Sequence, residues 1–314
     1  MKTFRKKPLR KASSKAQSAM EYLMTYGWAI LIISVVLAAL FQLGVFNPMT
    51  FAPKAPPGSC QVFRPNGPYT TSFINLEGIC SGELPQYVAQ FNGQSSYASA
   101  STAKVLKVNV TLSFWVMPTA NGRYVSGCGA AAPGGDNGSV IAYIGNSTDS
   151  IEVAYNSSES IYVNGWLEPC PISAKNSVPI GTWTNVVIRQ NSTTQAIFIN
   201  GLQNGVATTA SFSGVKPISN LLLGSALGTT TGNLGDYNFT GRLANVQLYS
   251  TSLSANEIQA LYQEGIGGAP IDLQHLVAWW PLNGNANDYS GNGNNGQIYN
   301  VNFVSNWYSG YTPP

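Results

Sequence analysis

From Tyr22 to Phe46 the chain runs 25 residues without a charge, YLMTYGWAILIISVVLAALFQLGVF. At about 1.5 Å per residue such a helix reaches roughly 37 Å, enough to cross a ~30 Å hydrocarbon core. Tyr22, Tyr26 and Trp28 near one end and Phe41 and Phe46 near the other suit the two interfaces. Asn47-Pro48 stops the helix, since proline lacks the donor that the next turn needs. Upstream, Lys2, Arg5, Lys6, Lys7, Arg10, Lys11 and Lys15 form a basic leader free of acids. Basic residues stay inside, so everything after Asn47 is expected outside, on a single-pass anchor in the cell membrane with the lipid bilayer as partner. A secretory signal would need a shorter apolar core and a small-x-small site after it; Leu37-Ala38-Ala39-Leu40 is a poor one.

Seven of the 16 basic residues precede Gln17 and all 13 acids follow it, so the remainder carries nine bases against 13 acids. That leaves no basic face for nucleic acid. Charged residues make up only 9% of a chain rich in Gly, Asn, Ser and Thr, the balance of an exported β-protein. Cys60, Cys80, Cys128 and Cys170 contain no Cys-x-x-Cys pair, and with one histidine, His275, they argue against zinc. An even count outside the cell suggests two disulfides. Three pairings are possible; the sequential one, Cys60–Cys80 and Cys128–Cys170, closes two loop-rich segments. Six Asn-x-Ser/Thr sequons begin at Asn109, Asn137, Asn146, Asn156, Asn191 and Asn238, and the last five are open to glycosylation.

Residues 48–58 are proline-rich and read as a stiff stalk. Residues 59–85 read as loop, pinned by the first cysteine pair. From Gln86 short alternating strands follow at turn spacing, the mark of an all-β sandwich or barrel. Val108–Met117 alternates and sets Val110, Leu112, Phe114 and Val116 on one face. Thr184–Gln190 and Gln195–Asn200 read as strands, the second ending in the hairpin signal Asn200-Gly201. Leu243–Tyr249 is a further strand. Ser254 with Glu257 makes a capping box for a helix through Glu264, stopped by Gly265.

Two resemblances add to this reading. Around the leader, Lys15-Ala16 followed by Gln17, Ser18, Glu21, Tyr22 and Leu23 resembles the class III signal of archaeal type IV pilin-like precursors. The resemblance implies cleavage between Ala16 and Gln17 by a prepilin peptidase, a leader of 1–16 and a pilin-like transmembrane helix over 17–47. It implies that Glu21 pairs with the new α-amino group of a like subunit in a filament, a cation being what makes a carboxylate tolerable in lipid.

The second covers residues 86–265. Phe91-Asn92-Gly93 with Tyr97, Ser113-Phe-Trp-Val116, Trp183-Thr-Asn-Val-Val187, Ile197-Phe-Ile-Asn-Gly201, Phe239–Tyr249 and the Leu253–Tyr262 stretch resemble, in order, the landmarks of laminin G-like jelly rolls of the concanavalin A-like type. The expected fold is therefore an all-β sandwich on an N-terminal transmembrane helix. The family's opening strand does not precede Phe91. Its pattern stands near the C-terminus, as Val277-Ala-Trp-Trp-Pro-Leu-Asn-Gly284, Asp288-Tyr-Ser-Gly291 and Gly296. Residues 266–314 are accordingly expected to complete the jelly roll, with Val277–Leu282 antiparallel to Leu243–Tyr249.

The function implied is lectin-like: adhesion to extracellular glycans. Glycan-binding residues are expected in two loops, Asp136 and Asn137 with Trp166, and Asp236, Tyr237 and Asn238, because sugar sites pair an aromatic platform with Asn/Asp groups. For calcium, Asp288 with Asn92 is the expected ligand pair, weakened by Asn92 and Ala244-Asn245 standing where the family often has acids. Two other readings stay open. One is a structural filament subunit that binds no sugar. The other is a glycoside hydrolase, disfavoured because the glucanase pattern Glu-x-Asp-x-(x)-Glu is missing and Glu152 stands alone.

Overall fold

The computed structural model describes residues 26–38, 62–63, 74–75, 84–106, 108–122, 139–145, 150–165, 171–208, 218–226 and 238–314. The expected cleavage residues Ala16 and Gln17, the carboxylate Glu21, all four cysteines, and Asp136, Asn137, Trp166, Asp236 and Tyr237 lie outside the described residues.

Two compact units divide the chain, residues 1–53 and 54–314. In the first, residues 26–38 form helix α1, exposed along its whole length. Its apolar side chains face outward all round, including Trp28, Ile30, Leu31 and Ile33. Among the described residues no helix is long and apolar enough to cross a membrane. The remaining residues of the expected Tyr22–Phe46 span fall outside the described set.

The second unit contains a two-sheet sandwich, and β1 (Val62–Phe63) and β2 (Ile74–Asn75) pair as a separate small ribbon. One sheet has eight strands. Its path runs β11 (Leu202–Thr208), β10 (Thr194–Ile199), β9 (Thr184–Gln190), β5 (Val110–Pro118), β13 (Thr240–Tyr249), β3 (Val88–Asn92) and β16 (Asn302–Val304), with β14 (Leu276–Trp280) also on β13. The other has six, in the order β15 (Gln297–Tyr299), β4 (Tyr97–Leu106), β12 (Ile218–Leu223), β6 (Ser139–Gly145), β7 (Ser150–Tyr155) and β8 (Ile161–Gly165). Alternation explains the shared core: Val110, Leu112, Phe114 and Val116 of β5 meet Ala98 of β4, Leu221 and Leu223 of β12 and Val153 of β7 between the sheets. The β10–β11 hairpin turns on Asn200 and Gly201, both at positive φ (49° and 78°), where asparagine and glycine carry the least steric penalty.

The opposite face of the eight-stranded sheet is apolar as well, so β5 is buried on both sides. Helix α2 (Ala255–Gln263), closed by the Ser254/Glu257 capping box, lays Ile258 and Leu261 over Val187, Phe198, Tyr249 and Trp279. Further along, the C-terminal tail places Trp307 against Trp115, Met117 and Trp183. Trp307 is 0% exposed. Its indole N–H donates to the Pro85 carbonyl at 2.9 Å, and its carbonyl accepts the Trp183 indole N–H at 2.9 Å.

The C-terminal segment supplies three strands to the sandwich. β13 pairs along one edge with β5 and shares its other edge between two partners. Thr240–Leu243 pairs with β3, and Val246–Tyr249 with β14, both antiparallel. Between them sits Asn245, at φ +50°, in a break of register with β5. Its buried amide group ties the junction together. Nδ2 donates to the Gly268 carbonyl at 2.8 Å, and Oδ1 accepts from the Trp279 indole N–H at 2.7 Å and from Gln247 Nε2 at 3.0 Å. β15 and β16 then extend an edge of each sheet, beside β4 and β3.

Candidate functional site

Residues that face each other across neighbouring strands project to one side of a sheet, so register alone builds the outer face of the six-stranded sheet. Gln297 of β15 stands opposite Ser99 of β4, Ser99 opposite Leu222 of β12, Leu222 opposite Tyr143 of β6, and Tyr143 opposite Glu152 of β7. Two residues along, Tyr299 faces Tyr97 on one side of this row, and Asn220 faces Ser101 on the other.

At the β15 end the row opens into a groove of about 410 Å³. Described residues lining it include Ser99, Ser101, Asn220, Leu222, Asn295 and Gln297. The Ser101 hydroxyl lies 3.4 Å from Asn220 Oδ1. The rings of Tyr97 and Tyr299 stack beside it, centroids 4.4 Å apart and planes 16° off parallel. Tyr299 stays 40% exposed, its hydroxyl donating to Gln297 Oε1 at 2.7 Å. That bond orients the Gln297 amide beside the groove. Hydroxyls and amides here both donate and accept, and none of these groups carries a charge. The size falls in the range of small-molecule sites.

Glu152, followed in the row by Asn164 of β8, is in a different state. It is only 7% exposed, and its Oε1 has no hydrogen-bond partner. Burial pushes its carboxyl up to about 7, because the charged form loses its water. Opposite it, the Tyr143 hydroxyl is also raised, first by burial and further by the Glu152 charge, against a hydrogen bond from Ser150 that lowers it.

The residues expected to hold calcium do not fit that ion. Asp288 Oδ1 accepts the backbone N–H groups of Trp279 (2.9 Å) and Ser290 (2.8 Å). Its Oδ2 accepts the Ser290 hydroxyl and the Asn294 N–H, both at 2.8 Å. All of its lone-pair positions are thereby filled by the chain's own donors, and Asp288 serves to fasten the loop after β14. Asn92 Oδ1 likewise accepts the N–H groups of Gln94, Ser95 and Ser96, closing the turn after β3. Among the described residues no group of three or more His, Cys, Asp or Glu could hold a metal. Asn238, expected in a glycan loop, is buried, and its amide donates to the Gln94 carbonyl of that same turn.

The groove residues lie on strands and at a strand entry, apart from the two loops whose Asn, Asp and aromatic residues were the expected sugar ligands. A signal was there: in Tyr97-Ala-Ser-Ala-Ser101 the small apolar residues alternate with a polar and aromatic face.

A family model described as the laminin G-type concanavalin A-like lectin/glucanases superfamily matches residues 92–259. Among solved structures, a heptameric SAP-like pentraxin from Limulus polyphemus is similar at 11% identity, with a TM-score of 0.43 over 57% of this chain and 82% of that one. A putative carbohydrate-binding protein from Bacteroides ovatus matches at 12% identity, with a TM-score of 0.48 over 74% of this chain and 66% of that one. Domains LG4-5 of the mouse laminin alpha1 chain match at 11% identity and a TM-score of 0.39, over 58% and 48%. No curated protein matches the chain.

Proposed function

The chain belongs to the concanavalin A-like lectin/glucanases superfamily, and on that premise we propose that it is a membrane-anchored, surface-displayed protein that binds extracellular carbohydrate without cleaving it. The observation that carries this reading is the groove beside the stacked Tyr97 and Tyr299. A sugar ring presents hydroxyls that both donate and accept, together with an apolar C–H face. The groove offers serine hydroxyls and side-chain amides for the first, and the Tyr97–Tyr299 pair flanking it offers rings for the second. A binding role is also favoured because retaining hydrolysis takes two carboxyls about 5–5.5 Å apart. Glu152 is the one carboxyl that the described strands place on this outer face.

The anchoring half of the proposal rests on the uncharged run Tyr22–Phe46 behind its basic leader, and on the outward-facing apolar surface of α1. A helix apolar on every side belongs in a protein core or in lipid. On this reading the leader is removed between Ala16 and Gln17, and Glu21 pairs between like subunits in a filament; the resemblance of residues 15–23 to a class III signal supports it. Mass spectrometry of the membrane-extracted protein is expected to find a chain beginning at Gln17. An intact leader, or a start beyond Ala39, would remove the prepilin reading. For the lectin half, the full chain in mild detergent is expected to bind on a glycan array; blank arrays with and without calcium would leave a structural filament subunit instead.

A further inference from the structure

We infer that the C-terminal segment creates the sugar site: Asn295 and Gln297 form one wall of a groove that takes a neutral sugar unit, and Tyr299 of β15, stacked on Tyr97, flanks it. This rests on the carbohydrate-binding reading above and goes beyond it in naming both the ligand class and the residues that select it.

The family match ends at residue 259, so Gln297 and Tyr299 lie outside the part of the chain that defines the family. Only β4 and β12 come from within it, bringing Ser99, Ser101, Asn220 and Leu222. Without β15 those residues would line an open sheet edge rather than a groove. β15 closes it by pairing Gln297 with Ser99, Ile298 with Ala98 and Tyr299 with Tyr97. The same pairing sets the Tyr299 ring flat on Tyr97 and leaves it 40% exposed.

The donor set names the ligand class. The polar groups along the described walls are hydroxyls and amides, with Asn295 and Gln297 added by the C-terminal segment. Asn295 Oδ1 and Gln297 Oε1 already accept hydrogen bonds, from the Asp288 N–H and the Tyr299 hydroxyl. Their NH₂ groups therefore remain as the donors for a ligand oxygen, while Ser99 contributes a hydroxyl that can act either way. An anionic sugar would call for a cation in the wall, and an amino sugar for a carboxylate. These described residues supply neither, so the match is to uncharged hydroxyls. Glu152, the carboxyl on this face, lies three strands from β4 across Leu222 and Tyr143, roughly 14 Å at ~4.8 Å per strand.

The test uses the full chain in mild detergent and titrates cello-, xylo- and mannotetraose beside a galacturonate tetramer, each with and without EDTA. At least one neutral tetrasaccharide is expected to bind, with EDTA making no difference. Tyr299→Ala and Gln297→Ala are each expected to weaken that binding roughly ten-fold, the effect of a lost contact of about 1.4 kcal/mol. Leu202→Ala, at an exposed position on β11 in the other sheet, is expected to leave it unchanged. Tyr299→Phe keeps the ring, so retained binding assigns the contact to stacking, whereas a loss equal to that of Gln297→Ala assigns it to the oriented amide. Either result keeps the site on β15. Binding by the wild type that Tyr299→Ala and Gln297→Ala leave intact, or binding of the galacturonate tetramer alone, overturns this inference and spares the carbohydrate reading. A chain that binds nothing on the array overturns both.

Discussion

The two sheets of the sandwich share one core but differ on their outer faces. On the eight-stranded sheet the outer residues are apolar and aromatic, Trp115, Met117, Phe198 and Tyr249 among them, and α2 with the C-terminal tail covers them. On the six-stranded sheet the outer row carries Gln297, Ser99, Leu222, Tyr143 and Glu152; Leu222 and Tyr143 belong to a buried apolar cluster with Val140, Ala154 and Tyr162, and only the β15 end stays open as a groove. Alternation is the same in both; what differs is the second face of each strand. An apolar second face must be removed from water, so it commits a helix and a tail to stability. The polar stretch at the β15 end of the other sheet needs no cover and is left for a ligand. The C-terminal segment serves both faces, with Trp307 under the tail and β15 beside the groove.

The largest test of this division removes the segment. A chain ending at Gly268 loses β14, β15 and β16 with Trp279, Trp280 and Trp307, all buried. It also strips Asn245 Oδ1 of the Trp279 indole donor, leaving it the Gln247 amide. Cooperative unfolding, followed by circular dichroism, is expected to vanish; a truncated chain that melts as the wild type does would show the tail to be an ornament.

Trp307→Ala is the next largest. It opens a cavity under the covered face and takes the indole donor from the Pro85 carbonyl, while the backbone carbonyl that accepts from Trp183 remains. A loss of about 3–5 kcal/mol is expected in chemical denaturation. A change below ~1 kcal/mol would mean the covered face does not need its cover.

Glu152 gives the smallest effect, and it belongs to the outer face of the six-stranded sheet. Its carboxyl sits at about 7 in the folded chain against the ordinary 4.5, so the folded state keeps a proton that the unfolded state releases. Stability from this group is full below about pH 4.5, falls as pH rises toward 7, and is level above that. The total is about 3 kcal/mol at most. Glu152→Gln is expected to flatten that slope and to raise stability above pH 7. An unchanged slope between the two variants would place the proton elsewhere.

Much of this was legible in the residues. The alternation of Val110, Leu112, Phe114 and Val116 identified a core strand, Asn200-Gly201 the hairpin and Ser254 with Glu257 the helix start, because each depends on near neighbours in the chain. The laminin G-like landmarks lie where the family model matches. Even the opening-strand pattern at Val277 pointed to Leu243–Tyr249, and Leu276–Trp280 lies beside that strand. The site was not legible in the same way. Ser99, Asn220 and Gln297 are neighbours only because β15, β4 and β12 pair in one register, and no local pattern encodes a register between strands so far apart. Asp288 looked like a metal ligand from its turn motif, yet backbone N–H groups from a strand and a loop converge on it and fill its oxygens. Sequence by itself determined which residues alternate, cap and turn, since those are short-range preferences of the backbone. Which polar groups end up satisfied, orphaned like Glu152 Oε1, or gathered around a groove was decided by long-range pairing alone.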